Sequence, residues 1–577
     1  MVMLKKLPFV FGLLSLVSAG QQNELIDYSV VGAIDNAHSM AVVVDNTTYL
    51  LIADKGSSAL HTGQAPIAKF GYQYVKIDKN KNLTESVESF LRKPVSENTV
   101  YEFFNRTWNT RQIAKLPQVY KPLNAIHRIK SDLHKDGQIP TISIEGSQAD
   151  FDVLHSNTTC EDCKVNTNVT YIGLKEKYRF ENVRVTLAGR SSTSMSKLSY
   201  NIKLKKKDRL FDYRRVKLRA MATDPSYLRE QLAYDVIESV GLVSSQFSFC
   251  RLLINNKDVG LFGIIDTFQD SWLANVFAEG DKEYENGNLY QGIFQSAESA
   301  RVHRGSDLDF YNGNLTAYQD GQYKVKVNAH GEKEDNYKPL MDFTEFVANA
   351  PTEGPKAVKA WKKRLDVDSF LRSMALEKIM GYSDGYSTMA DNYYILQLPK
   401  TNKFFWISSD MDMTLGNTVA YLDDMLSGDY KSYPGLMARP LTSKVLSIKE
   451  FRDQFNNLIR EISEKLVNPV TMNKRINDMV SMLREDVEWD QSLPRLGETV
   501  LFDSVNSSSI SESPYYFEKV NLNLTVAGDF ATRLNGVPFD IAINGPIGRI
   551  SLTGLKEWIQ KSSENIKAFY KETSHQP

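Results

Sequence analysis

Asp384-Gly-Tyr-Ser-Thr-Met-Ala-Asp-Asn392-Tyr-Tyr-Ile-Leu-Gln-Leu-Pro-Lys-Thr-Asn-Lys-Phe-Phe-Trp-Ile-Ser-Ser-Asp410-Met-Asp412-Met-Thr-Leu-Gly416 is the stretch around which the chain is organised. Two β-rich runs, 392–398 and 404–409, flank a polar loop at 399–403, the composition and length of a hairpin connection. In an antiparallel pair closed by that loop, Leu398 opposes Phe404 and Asn392 is expected opposite Asp410. Directly opposed side chains lie roughly 4.5–5.5 Å apart at Cβ. A carboxamide and a carboxylate therefore converge at the open end of the hairpin, where Asp384 also arrives, and the oxygens frame a space of metal-ion size. Solvated or capping acids at strand ends are the alternative for the same residues.

Composition narrows the function classes. The chain has 577 residues, enough for two or three domains with substantial cores. Its 42% apolar and 24% charged content is that of a globular protein. A formal charge of -1 gives no reason to expect nucleic acid or an anionic membrane as partner. Lys5 and Lys6 precede an apolar run at 7–17, and Val17-Ser18-Ala19 supplies small residues for cleavage, so residues 1–19 read as a secretory signal peptide. Asn-x-Ser/Thr sequons at Asn46, Asn82, Asn105, Asn157, Asn168, Asn314, Asn506 and Asn523 agree with export. No later apolar stretch approaches the ~20 residues of a membrane helix, and the polar end at 571–577 lacks the apolar tail of a lipid-anchor signal. The expected product is secreted or held non-covalently at a surface. Of the three cysteines, Cys160 and Cys163 in Thr-Thr-Cys-Glu-Asp-Cys suit a local disulfide in an oxidising compartment, with metal binding or redox exchange as alternatives. Cys250 reads as a small core residue.

Residues 20–139 are expected to form a β-rich accessory domain, with strands at 39–45 and 48–53. A new unit opens near Pro140. Within it Val183-Arg-Val-Thr-Leu-Ala-Gly189-Arg190-Ser-Ser-Thr-Ser-Met-Ser-Lys197-Leu-Ser-Tyr-Asn-Ile-Lys203 reads as strand, small-residue loop, strand. Such a loop can bring backbone N–H groups to phosphate oxygens while Arg190, Lys197 and Lys203 supply charge; a solvated Ser-rich turn with basic strand faces is the alternative. Asp224 and Pro225 start a helix carrying Leu228, Leu232, Val236 and Val240 and stopped by Gly241. Arg229 and Glu230 on it are placed either to orient a neighbouring site or to pair at the surface. Strands follow at 247–254 and 260–267. Residues 270–365 are polar and irregular, as in a lid or partner surface. A helix capped by Asp368 and ended by Gly381 delivers the chain to Asp384. The last third is expected to be mainly helical, with a β insertion at 520–543.

The order Asp384, Asn392, hairpin, Asp410 repeats the order in which protein kinases place their catalytic Asp, metal-binding Asn and metal-binding Asp, although a kinase Gly-rich loop and Val-Ala-Ile-Lys strand are missing. Other landmarks join it: Gly189-Arg190 with the Ser-rich loop, Asp224-Pro-Ser-Tyr-Leu-Arg229, Asn256-Lys-Asp-Val-Gly260-Leu-Phe-Gly-Ile-Ile-Asp266, Gly287-Asn-Leu-Tyr-Gln, Asp391-Asn-Tyr-Tyr and Asp410-Met-Asp412-Met-Thr-Leu-Gly. In this joint order the chain resembles the spore-coat CotH family of atypical protein kinases over roughly 140–575, and looks most like the secreted versions from mucoralean fungi. The resemblance implies an α+β fold: an atypical protein-kinase-like, two-lobed core behind the accessory domain, with a β-rich lobe at about 140–270 and a mainly helical lobe at about 366–575. It implies ATP with Mg2+ or Mn2+ as cofactors. Asp384 would be the base, Asn392 and Asp410 the metal ligands, and Asp412 a further metal candidate. Lys203, assisted by Lys197 or Arg190, would neutralise phosphate. Asp266 stands where the family commonly carries Glu after the Gly-Leu-Tyr strand, and Ser409 where a Trp often precedes the metal-site Asp.

Two functions follow as expectations. One is a secreted kinase phosphorylating Ser or Thr of a protein substrate in the spore coat or secretory pathway. The other is a cell-surface adhesin or invasin that presents loops to a host-cell receptor on the same scaffold. A metal-assisted hydrolase built from the clustered acids ranks third.

Overall fold

The computed structural model describes residues 24–497 and 524–573, except positions 82, 159, 161, 190, 270 and 535. The signal peptide expected at 1–19 and the sequons at Asn82, Asn506 and Asn523 lie outside the described residues. The chain is α+β.

The N-terminal part is a seven-stranded sheet running from Leu25 to Phe103. Its core holds Tyr28, Tyr72 and Tyr74. Behind them Arg92 is buried with Glu88 and Glu102, at 2.7 and 3.1 Å. A closed barrel follows, formed by β1 (Thr141–Glu145), β2 (Val165–Ile172), β3 (Lys177–Ala188), β4 (Ser199–Lys203), β5 (Arg215–Arg219), β6 (Phe247–Ile254) and β7 (Lys257–Asp266). Its order is β3-β4-β5-β7-β6-β1-β2, antiparallel except where β6 meets β1. Inward residues such as Val185, Ile202, Val216, Leu252 and Ile264 fill it, as alternation along each strand requires. The disulfide joins Cys160 to Cys163, and Cys250 is buried in the barrel, where burial pushes its thiol up.

Helix α1 (Arg229–Ser239) packs beside the barrel. It begins four residues later than the Asp224-Pro225 signal suggests, for a local reason. The Asp224 carboxylate accepts from Ser226 N, Arg229 N and the Arg229 guanidinium, so 224–228 closes as a polar turn before helical geometry starts.

Residues 270–365 are more ordered than their composition suggests. They contribute β8 (Leu289–Gly292) and β9 (Tyr323–Val327), which extend the hairpin strands β10 (Tyr393–Gln397) and β11 (Phe404–Ser408) into the sheet β9-β8-β10-β11. Helix α2 (Val367–Met380) is capped by Asp366, two residues before the expected cap. Gly381 ends it at φ +63, and a Cβ there would come 2.3 Å from Trp558, so no other residue fits this turn. The helical lobe continues with α3 (Lys449–Lys465), α4 (Pro469–Ser492) and α5 (Leu555–Thr573). The expected β insertion at 520–543 is instead helical where described, at Leu524–Arg533 and Phe539–Asn544.

Helix α4 ties the helical lobe to the barrel and to the N-terminal sheet. Buried Asp486 takes Arg251 Nε at 2.5 Å and lies 3.5 Å from Arg106. One turn on, buried Asp490 accepts from Leu261 N, Tyr227 OH and Lys197 Nζ at 2.8, 2.7 and 2.8 Å. The segment between the sheet and the barrel clasps the same helix through Asp136, which pairs with Arg475 of α4, and Arg475 also binds Asp235 of α1.

Candidate functional site

The hairpin places the central residues, in a register one residue away from the expected one. Gln397 pairs with Phe404 and Tyr393 with Ser408, while Leu398 N donates to Lys403 O at 2.8 Å. The loop is therefore four residues, and Asn392 faces Ser409, whose N–H donates to Asn392 O at 2.9 Å. Both strands leave their ladder at this end through residues of positive φ, Asn392 at 53° and Asp410 at 56°, a conformation Asn and Asp tolerate better than most. The two side chains line one cavity of about 520 Å³ between barrel and helical lobe. The Tyr382 hydroxyl fixes the Asp410 turn by donating to the carbonyls of Ser409 and Asp410.

Asp384 is half-buried and joined to this pair. Asn392 Nδ2 donates to its Oδ2 at 2.7 Å and to its backbone carbonyl at 3.0 Å. The following turn is anchored from below by Glu377 of α2, which accepts from Tyr386 N and Ser387 N. Burial pushes that carboxyl up to about 7 even with these donors.

The cations facing the acids come from β5. Arg215, Lys217 and Arg219 alternate with inward Val216 and Leu218 and so share one face. The Arg219 guanidinium donates to Glu230 of α1 at 2.8 Å, pairs with Asp410, and lies 3.4 Å from Asp412. Lys217 Nζ is 3.9 Å from Asp410. Burial works against both cations. Asp410, Glu230 and Asp412 nonetheless hold Arg219 well above its usual range, whereas the neighbouring Arg219 charge helps to keep Lys217 low. Burial likewise raises Glu230 to about 7, and raises Asp412 against the pull of Arg219. Asp412 also accepts from Thr223 Oγ1 at 2.7 Å.

The remaining expected residues divide. Lys203 lines the same cavity from β4. Asp266 also borders it, but its carboxylate is spent on structure: it binds Arg128 at 2.7 Å, Trp272 Nε1 at 2.6 Å and Gln246 N at 2.6 Å. Burial pushes this carboxyl up, but Arg128 and His134, whose Nε2 lies 3.6 Å from Oδ1, together hold it below its usual range. Lys197 is elsewhere. It is buried against Asp490 and the Phe262 ring, and lines a separate cavity of about 540 Å³ with Arg495 and Arg533. Arg190 lies outside the described residues. The structure adds Lys217 and Arg219 to the expected set, and Arg215-Val-Lys-Leu-Arg219 carries a signal for them: cations at every second position of a strand whose other positions are apolar.

The sequence profile of the CotH family, described as "CotH kinase protein", matches residues 185–514. Among similar proteins are "Invasin CotH3" of Rhizopus delemar, 26% identical over 79% of this chain and 74% of its own length, and "Spore coat protein homolog 1" of the same organism, 25% identical over 81% and 73%. "Inner spore coat protein H" of Bacillus subtilis is 23% identical over 54% of this chain and 78% of its own. Among solved structures, the Helicobacter pylori proinflammatory kinase CtkA aligns with 54% of this chain and 94% of its own at 11% identity. Its TM-score of 0.20 is too low to carry a fold assignment. The family match spans more than half of the residues, and the chain belongs to the CotH family.

Proposed function

We propose that this CotH-family protein binds ATP between the barrel and the helical lobe and transfers its terminal phosphoryl group to a Ser or Thr hydroxyl of a coat or other extracellular protein. The supporting observation is that Asn392, joined to Asp384, lines one cavity with Asp410 and Lys217, while buried Arg219 pairs with Asp410. Phosphoryl transfer asks a protein mainly for positioning and charge neutralisation. The Arg219–Glu230 pair, strand to helix, has the role of the strand-to-helix Lys–Glu pair of protein kinases.

The donors at Asn392 and Asp410 are oxygens, with the Asn392 nitrogen committed to Asp384. That is the ligand chemistry of Mg2+ or Mn2+. Among the described residues no three His, Cys, Asp or Glu side chains form a metal cage. Mg2+ needs none, since it takes one or two carboxylates and completes its shell with water and phosphate oxygens. Asn392 and Asp410 would hold the ion, and Asp412 lies behind them. When bound, it supplies neutralisation of phosphate charge.

In the reaction the substrate hydroxyl oxygen forms a bond to the terminal phosphorus while the bond from phosphorus to the bridging oxygen breaks and ADP leaves. The hydroxyl proton passes to the Asp384 carboxylate and from there to solvent. Lys217 and Arg219 neutralise phosphate oxygens, with Lys203 farther out along the same face. The test is transfer from labelled ATP with Mn2+ or Mg2+. Asp384→Ala should lower the rate by about a hundredfold or more while nucleotide binding persists. Folded wild type that neither binds nucleotide nor transfers phosphate would remove the reading.

A second reading, an adhesin that engages a host-cell receptor, is favoured by relatives whose names contain "Invasin". Exposed loops would then carry the function. Cell binding untouched by Asp384→Ala but lost on replacing a loop within 270–365 would favour it, and the reverse would count against it. Among the described residues no helix is long and apolar enough to cross a membrane.

A further inference from the structure

The second cavity, of about 540 Å³, has no part in the proposed transfer, yet it carries charge that its own walls do not balance. It lies beside the turn at 220–225 that follows β5, and Lys197, Arg495 and Arg533 line it together with Thr223 and Tyr227. Among the described residues the two cavities share no wall residue. Thr223 stands between them: it lines the second cavity while its Oγ1 donates to Asp412, two residues from Asp410 of the first, at 2.7 Å.

The three cations differ in how they are satisfied. Lys197 is engaged, with Nζ 2.8 Å from Asp490 Oδ1. Arg495 reaches the other oxygen of that carboxylate through Nη2 at 3.2 Å, while its Nη1 is buried without a hydrogen-bond partner. Arg533 is only 1% exposed. Among the described residues its guanidinium donates to neutral oxygens alone: Ser551 Oγ at 2.8 Å, the carbonyls of Ser551 and Thr223 at 3.2 and 3.4 Å, and Asn417 Oδ1. Burial, then the neighbouring Arg229 charge, pushes Arg533 down to about 9, which leaves it charged at neutral pH. The acids are too few for these cations. Asp490 is shared by Lys197 and Arg495, and also accepts from Tyr227 OH. Asp224 is bound to Arg229 and attracts Arg533 only from beyond contact, and Asp529 is paired with Arg549. Around this cavity the described side chains therefore hold two more positive charges than negative ones. Buried charge without a counter-charge, and a buried charged donor without an acceptor, are both costly.

We propose that this cavity is a metal-independent binding site for a phosphoryl dianion, held by Arg495 and Arg533 with Lys197 behind them. A dianion balances the excess charge and supplies the acceptor that Arg495 Nη1 lacks. Guanidinium forks match phosphate oxygens in geometry, and an ammonium adds point charge. The shared chemistry is one phosphoryl group, on free inorganic phosphate or on a phosphorylated Ser of a peptide. The site is separate from the cavity of the proposed transfer and does not depend on that transfer occurring.

The test titrates the full chain calorimetrically in EDTA with inorganic phosphate and, in a second arm, with a phosphoserine peptide and its unphosphorylated form. Inorganic phosphate is expected to bind wild type and Lys217→Ala, a change in the first cavity, within about twofold of each other. Binding should weaken tenfold or more in Arg495→Ala, whose partly exposed side chain can be shortened without unfolding the chain; a melting curve verifies this. Arg533→Lys, which keeps the charge and loses the fork, should weaken it as well. Preference for the phosphopeptide over its unphosphorylated form, lost in Arg495→Ala, identifies a protein-borne phosphate as the ligand; binding of inorganic phosphate with no such preference identifies the free ion. No binding to wild type without metal, equal binding in wild type and Arg495→Ala, or a loss in Lys217→Ala as large as in Arg495→Ala overturns the proposal. None of these results bears on whether phosphate is transferred at the acidic corner.

Discussion

Glu230 should be a carboxylate kept at a cost to stability, and Glu230→Gln isolates that cost. The residue is buried on α1, accepts from Arg219 Nε at 2.8 Å and Tyr234 OH at 3.0 Å, and is raised by burial from 4.5 to about 7. Between pH 4.5 and 7 the native state keeps a proton that the unfolded chain has lost, so stability falls as pH rises through that window and is flat above it. A shift of about 2.5 pK units corresponds to roughly 3 kcal/mol. Gln resembles the protonated acid in shape and cannot ionise. The variant should match wild type at pH 4.5 and exceed it by up to about 3 kcal/mol at pH 8. If 140–575 unfolds as one unit, that is about 3–4 °C in Tm. Paired melting curves at pH 4.5, 6, 7 and 8 measure the difference, and titrations elsewhere cancel. Phosphate transfer should nevertheless drop, because Arg219 loses its charged tether. Parallel pH profiles, or a variant less stable at pH 8, would refute the reasoning.

Asp490→Ala should destabilise the protein by about 3–5 kcal/mol, because it strands buried Lys197 and removes the acceptor for Tyr227 and Leu261 N; urea unfolding measures it.

The sequence made the acidic side of the site legible and obscured the basic side. Asp384, Asn392 and Asp410 cluster in sequence around one hairpin, so local spacing brings them near each other. The register departs from the expected one by one residue, and β10 and β11 are almost wholly buried on both faces. Without a polar face to distinguish neighbouring alignments, a one-residue slip leaves no mark on the hydrophobic pattern. Lys217 and Arg219 act with partners far along the chain, and only the closed barrel shows which of many cations turn toward Asp410. Lys197 sits near Lys203 in sequence, yet its partner Asp490 comes from α4, a long-range contact that no local pattern encodes. In 270–365 the short strands β8 and β9 were masked by a polar composition, since they are held by pairing onto the hairpin more than by propensity of their own.

The central claim, that the Asn392 and Asp410 corner supports metal-assisted nucleotide binding, is tested most directly by the melting temperature with ATP and Mn2+ in wild type and Asp410→Asn. At a hundred times the dissociation constant, ligand binding stabilises the native state by about 2.7 kcal/mol. Wild type should therefore melt roughly 3 °C higher with both present, and Asp410→Asn should lose the part of the shift that depends on Mn2+. No shift in wild type, or the same Mn2+-dependent shift in both proteins, would contradict the account.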